Sequence, residues 1–168
     1  VTAAAGLGHL QKGHGVAFAD YDHDGDQDIF IEMGGAFPGD AFSDAVFQNP
    51  GFGNHWITVR LIGRKSNRAG IGARIRAEVM EAGKPRSIYK WVNSGGTFGG
   101  SPLRQHIGLG TSDRLERLEI YWPTTDSTQV FTDLEVDQII SVIEGEDEYH
   151  LIPHGRTSKS QVGAGVVH

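Results

Sequence analysis

The chain has 168 residues, with 15 Lys plus Arg against 21 Asp plus Glu, a formal net charge of −6 and no cysteine. These figures allow one domain or two small ones, exclude disulfides, thiolate metal sites and cysteine nucleophiles, and argue against nucleic acid, because no Lys/Arg cluster offsets the acidic balance. No apolar run approaches the roughly 20 residues of a membrane-spanning helix, and the opening at Val1, without Met or a signal-peptide pattern, reads as a processed or excised piece of something longer.

Val1 to Gly15 is small, Gly-rich and weakly patterned; Thr2 to Gly8 reads as a helical turn, and His9 and His14 as solvated loop histidines. Val16 to Asp20 alternates as a strand does, and the apolar run Ile29-Phe30-Ile31 supplies its partner. Between them lies Asp20-Tyr-Asp22-His-Asp24-Gly25-Asp26-Gln-Asp28, with carboxylates at alternate positions. A Ca²⁺ ion wants six to eight oxygen ligands, which a short loop of alternate carboxylates curled around it supplies. Gly25 stands where such a loop must bend sharply. Asp20, Asp22, Asp24 and Asp28 are assigned as side-chain ligands, and Asp26 as a ligand through its carbonyl. The loop is not an EF-hand: Ile31 stands at position twelve instead of a bidentate Glu, and strands flank it.

Gly34 to Phe42 is turn-rich, and Asp44 to Asn49 reads as a short strand before Pro50-Gly51. From Asn54 the pattern changes. His55 to Ile62 alternates, with Trp56, Thr58 and Arg60 on one face and Ile57, Val59 and Leu61 on the other. After a basic turn (Gly63 to Gly70), strands are expected over Ile71–Val79, Arg86–Val92, Leu103–Leu109, Leu115–Trp122, Thr128–Phe131 and Gln138–Ile143, with a hairpin turn at Gly83-Lys-Pro85. Short strands at close spacing with no major helix predict an all-β fold: a hairpin with a calcium loop, which the resemblance given below makes propeller-type, then a β-sandwich or small barrel. The segments are residues 1–53, 54–144, and an acidic linker with a tail over 145–168. His150 and His154 do not form a metal pair, because Pro153 forbids the helix that would bring them together.

The strand–loop–strand carrying D-x-D-x-D-G-x-x-D resembles the FG-GAP/VCBS repeat of integrin-type and bacterial β-propellers. Asn54-His-Trp56-Ile-Thr-Val-Arg60, Lys65-Ser66-Asn67-Arg68-x-Gly70-Ile-Gly72-Ala-Arg74, Ser94-Gly95-Gly96-Thr-Phe98, Gly108-Leu109-Gly110 and Tyr121-Trp122-Pro123, in that order, are similar to the successive motifs of the ASPIC/UnbV domain. That resemblance covers roughly residues 54 to 144. It departs after Pro123, where Thr124 to Thr128 is longer than the usual turn. Together the resemblances imply an extracellular, calcium-associated adhesion or scaffold context, and they carry over no catalytic residue.

No G-x-G-x-x-G completes, and there is no Walker A, H-E-x-x-H or G-x-S-x-G pattern. A serine, His106 and Asp133 make a triad on paper only. The expectation is therefore a secreted, non-enzymatic calcium-binding structural or adhesion module. A carbohydrate-binding module is the alternative, with Trp56, Trp91 or Trp122 as its platform. Arg64, Lys65, Arg68, Arg74 and Arg76 form the basic concentration, read as a solvated strand face ahead of an anion or glycan site. The apolar strands around Phe18, Phe30, Ile31 and Phe47 need a cover, from the ASPIC/UnbV-like half or from a second copy, so a calcium-strengthened homo-oligomer or filament is expected, joined through the chain termini.

Overall fold

The computed structural model describes residues 6–8, 12–35, 37–96 and 102–155. Among the described residues the chain is all-β, with eleven strands in three open sheets, no helix, and no sheet closed into a barrel. No helix is thus long and apolar enough to cross a membrane. The expected helical turn over Thr2–Gly8 and the tail beyond Gly155 lie largely outside the described residues. The chain divides into two compact units at Pro50/Gly51, with His154 the last residue of the second.

The first unit holds β1 (Gly13–Ala19), β2 (Asp28–Met33) and β3 (Ala45–Phe47), antiparallel in that order. β1 and β2 pair up to Ala19 opposite Asp28, so the acidic segment is the hairpin's connection. Cross-strand register places Phe18, Ile29 and Phe47 on one face, and Ala17, Phe30 and Val46 on the other. The strands are therefore apolar on both faces, unlike an antiparallel sheet with one wet side.

The second unit contains β4 (His55–Ile62), β5 (Arg74–Glu81), β6 (Lys84–Trp91), β7 (Gln105–Gly110), β8 (Arg114–Trp122), β9 (Ser127–Glu135), β10 (Gln138–Ile143) and β11 (Tyr149–Ile152). One sheet has the order β11-β10-β4-β7 and the other β6-β5-β8-β9. Only the β10–β4 pair among them is parallel. Ile57, Val59, Leu61, Ile107, Leu109, Ile140 and Val142 of the first sheet share one buried cluster with Ile75, Ala77, Val79, Leu118, Ile120, Trp122 and Leu134 of the second. Two open sheets sharing one core make a β-sandwich, with alternate side chains of each strand turned inward.

Several boundaries differ from the sequence expectation, three of them with a clear physical cause. β5 begins at Arg74, not Ile71, because Gly70 and Gly72 take φ of +72° and +95° and hold a turn there. A Cβ on Gly70 would also stand 2.6 Å from that of Leu61. The following hairpin turns at Ala82-Gly83, both at positive φ, as a two-residue connection matched to strand twist requires. Pro85 then lies in β6, an edge strand that tolerates its missing N–H. Finally, the stretch expected to be linker contains β11, which pairs with β10. Tyr149 of β11 meets Phe131 edge-on with ring centres 5.9 Å apart, which anchors this added strand to the core.

Candidate metal centre

The loop between β1 and β2 folds on its own carboxylates. Asp20 accepts the Asp24 N–H through Oδ1 (3.0 Å) and the Gly25 N–H through Oδ2 (3.1 Å), and Asp24 accepts the Asp26 N–H (3.1 Å). Gly25 at φ +97° and His23 at +59° make the bend. Asp28, the first residue of β2, accepts the Tyr21 N–H (2.9 Å) at the start of the loop and the Asn49 N–H (2.8 Å) beyond β3. These bonds curl the segment so that one carboxylate oxygen each from Asp20, Asp22 and Asp28 lies within 4.8 Å of the others. Asp22 and Asp28 are buried at 6% and 3% exposure. Asp24 and Asp26 lie on the same turn, half-buried, outside that trio.

The electrostatics of this cluster favour a cation. Burial pushes the Asp20 carboxyl up, with the nearby Asp24 charge adding to it, against the Gly25 and Asp24 N–H groups that pull it down. Like charges brought together out of water are stabilised by a proton or a cation. All-oxygen donors suit a hard ion, not Zn²⁺ or copper. Gln48 and Asn49 were missed in the sequence reading. The Gln48 amide donates to Asp22 at 2.6 Å, so the end of β3 braces the loop. The expected strand runs to Asn49, so both read as strand residues and nothing in the sequence marks a brace.

A second carboxylate organises the basic turn. Glu144, at the end of β10, is buried at 5% exposure. Its Oε2 accepts the N–H groups of Arg64, Lys65 and Ser66, each at 2.8 Å, and its Oε1 accepts the hydroxyls of Ser66 (2.7 Å) and Thr125 (2.9 Å). Burial alone raises its carboxyl, but the Ser66, Arg64 and Lys65 bonds outweigh that and hold it at about 2. Gly63 fits beneath the turn because a Cβ there would lie 2.2 Å from the Asn67 carbonyl oxygen.

The family model described as ASPIC and UnbV matches residues 63–148, just over half of the chain. The chain belongs to the ASPIC and UnbV family. The match spans the Gly63 turn and the Glu144 carboxylate that holds it, and ends before β11. The aspartate loop lies ahead of it. No curated protein matches the sequence.

Within the second unit the three tryptophans part company. The aliphatic face of β4 is core, yet Trp56 on the opposite face is also buried, at 7% exposure. His106 stacks on its ring at 5.5 Å, and His154 meets it edge-on at 5.5 Å. Trp122 is core, and its indole N–H donates to Gln129. Trp91 alone of the three is exposed, at 58%. The paper triad does not assemble: His106 bonds Thr58 (3.0 Å), and Asp133 pairs with Arg114. The basic concentration also divides, with Arg64 on Glu146 and Arg76 on Glu78 and Glu119.

Proposed function

We propose that this chain is a secreted, non-enzymatic calcium-binding structural or adhesion module, in which β1–β3 is an FG-GAP/VCBS-type calcium repeat preceding the ASPIC and UnbV domain. The observation that carries the reading is the convergence of Asp20, Asp22 and Asp28 on one point, with two of the three carboxylates buried. Asp24, the Asp26 carbonyl and a water complete an oxygen shell of the size Ca²⁺ takes. An ion so enclosed has no open position for substrate, which supports a structural over a hydrolytic role. Calorimetric titration of Ca²⁺ into the chelator-stripped chain is expected to show one ion per chain, with a dissociation constant on the order of 0.1 mM, as in extracellular modules. Asp22→Ala abolishes the heat. A parent chain that takes up no calcium at millimolar concentration refutes the reading.

The same unit supports self-association. Phe18 and Phe30, on opposite faces of the small sheet, are 52% and 42% exposed. A sheet of three short strands that is apolar on both sides gains stability when a second copy, or a terminus added as an edge strand, covers it. Head-to-tail contact of this kind produces rings or open filaments according to the rotation between copies. Light scattering in millimolar Ca²⁺ is expected to give a mass above that of one chain, falling when the chain is trimmed after Pro153. A monodisperse monomer ends the idea.

A further inference from the structure

The outward face of the β6-β5-β8 sheet carries a row of basic and aromatic side chains. Register sets Arg74 opposite Trp91 on β6 and opposite Tyr121 on β8. Its guanidinium lies 5.0 Å from the Trp91 ring centre and 5.8 Å from that of Tyr121. On the next outward rung Tyr89 pairs with Arg76, and Tyr89 is 69% exposed. The chain buries Trp56 and Trp122, where the rings serve packing, so an open Trp91 beside an open Tyr89 stands apart.

The charges sort in the same way. Arg76 and Arg117 are neutralised by Glu78 and Glu119 in one network. Among the described residues no carboxylate lies within ion-pair distance of Arg74. A guanidinium presents its N–H donors as a planar fork that matches a carboxylate in two parallel bonds. The Tyr121 hydroxyl donates to Asp126 (3.0 Å), which steadies that ring as one wall of the row.

We propose that this face binds an acidic polysaccharide, whose uronate-type carboxylate pairs with Arg74 while its sugar rings lie on Trp91 and Tyr89. A sugar ring has a flat, apolar C–H face that stacks on an aromatic ring, and a uronate carries its carboxylate at the ring edge. One chain segment thus meets both features of the row. Two strand spacings, about 10 Å, separate β6 from β8, so the platform suits an extended chain and not a pocketed small molecule. A nucleic acid fits poorly, because a phosphate backbone is held by several uncompensated cations and Arg74 is a single one. The site is independent of the aspartate loop, so its failure leaves the calcium reading standing.

Titration of hexagalacturonate into the full chain, in sodium buffer without added calcium, tests this through tryptophan fluorescence. Trp91 is the exposed member of the chain's three tryptophans, so acrylamide quenching should report it and bound sugar should shield it. The expected result is saturable shielding that weakens as salt rises, with affinity falling about tenfold or more in Trp91→Ala and in Arg74→Gln, since few central residues carry most binding energy. Trp91→Ala is followed by calorimetry, having lost the reporter. Maltohexaose should bind markedly more weakly than hexagalacturonate. Absence of hexagalacturonate binding to the parent chain, or equal binding by Arg74→Gln and the parent, overturns the proposal. Equal binding of the neutral hexasaccharide overturns it as well.

Discussion

Glu144→Ala is expected to destabilise the sandwich by about 3 kcal/mol, because it removes the buried acceptor shared by three backbone N–H groups and two hydroxyls. For a unit of this size that corresponds to a melting temperature lower by on the order of 10–20 °C. Glu144→Gln keeps the shape and one carbonyl and should cost less, so the pair of variants separates charge from geometry. The pH dependence has a definite sign. Glu144 is held at about 2 against an ordinary 4.5, so its contribution is complete above pH 4.5 and drains away as pH falls toward 2. His106 acts over a higher window. Burial, helped by Lys90, lowers it to about 4 from 6.5, so the unfolded chain takes its proton first and stability declines from pH 6.5 toward 4. Thermal melts of the parent and Glu144→Gln across pH 2–7 should therefore keep a constant separation above about 4.5 and converge as pH falls below it. Parallel curves below that pH, or an unaltered melting temperature in Glu144→Ala, would show that the turn does not depend on this carboxylate.

What could be read from the sequence follows from which faces are buried. His55–Ile62, Leu115–Trp122 and Gln138–Ile143 carry their apolar side chains into the shared core, so their extent was visible in the sequence. The same logic does not decide Trp56, which is buried. Its face is polar in pattern, but two histidines from distant positions cover it, and nothing near Trp56 in sequence signals them. β11 was hidden because Leu151 points to solvent, leaving little alternation to see, and because acidic residues precede it. Those acids are partly spoken for: Glu144 by a turn some 80 positions earlier, and Glu146 by Arg64 and His150. A charge run names no partner, so a structural carboxylate and a solvated one look alike in sequence. The aspartate loop was legible for the opposite reason. Its spacing acts over a few residues, and chain geometry alone brings Asp20 onto the N–H groups of Asp24 and Gly25. Only the brace from Gln48 and Asn49 needed the third strand to appear.

Asp28 is where that local loop and the non-local brace meet, and its substitution should separate fold support from calcium binding. In millimolar Ca²⁺, with a dissociation constant of about 0.1 mM, the bound ion adds about 1.4 kcal/mol. Asp28→Asn retains a side-chain carbonyl for one of the two N–H donors, Tyr21 or Asn49, but removes the charge. It should keep much of the calcium-free stability and lose the calcium increment. Asp28→Ala should lose both, with about 2 kcal/mol gone before any ion is added, because two backbone donors lose their acceptor. A global melt is a poor probe, since two compact units need not unfold together. Amide hydrogen exchange resolved to β1, β2 and β3 reads the right unit. Saturating calcium should slow exchange there about tenfold in the parent chain, as 1.4 kcal/mol requires, and leave both variants unchanged. If chelation leaves exchange in the parent β1–β3 sheet untouched, the three aspartates hold the hairpin turn together by hydrogen bonding alone, and no calcium site is present.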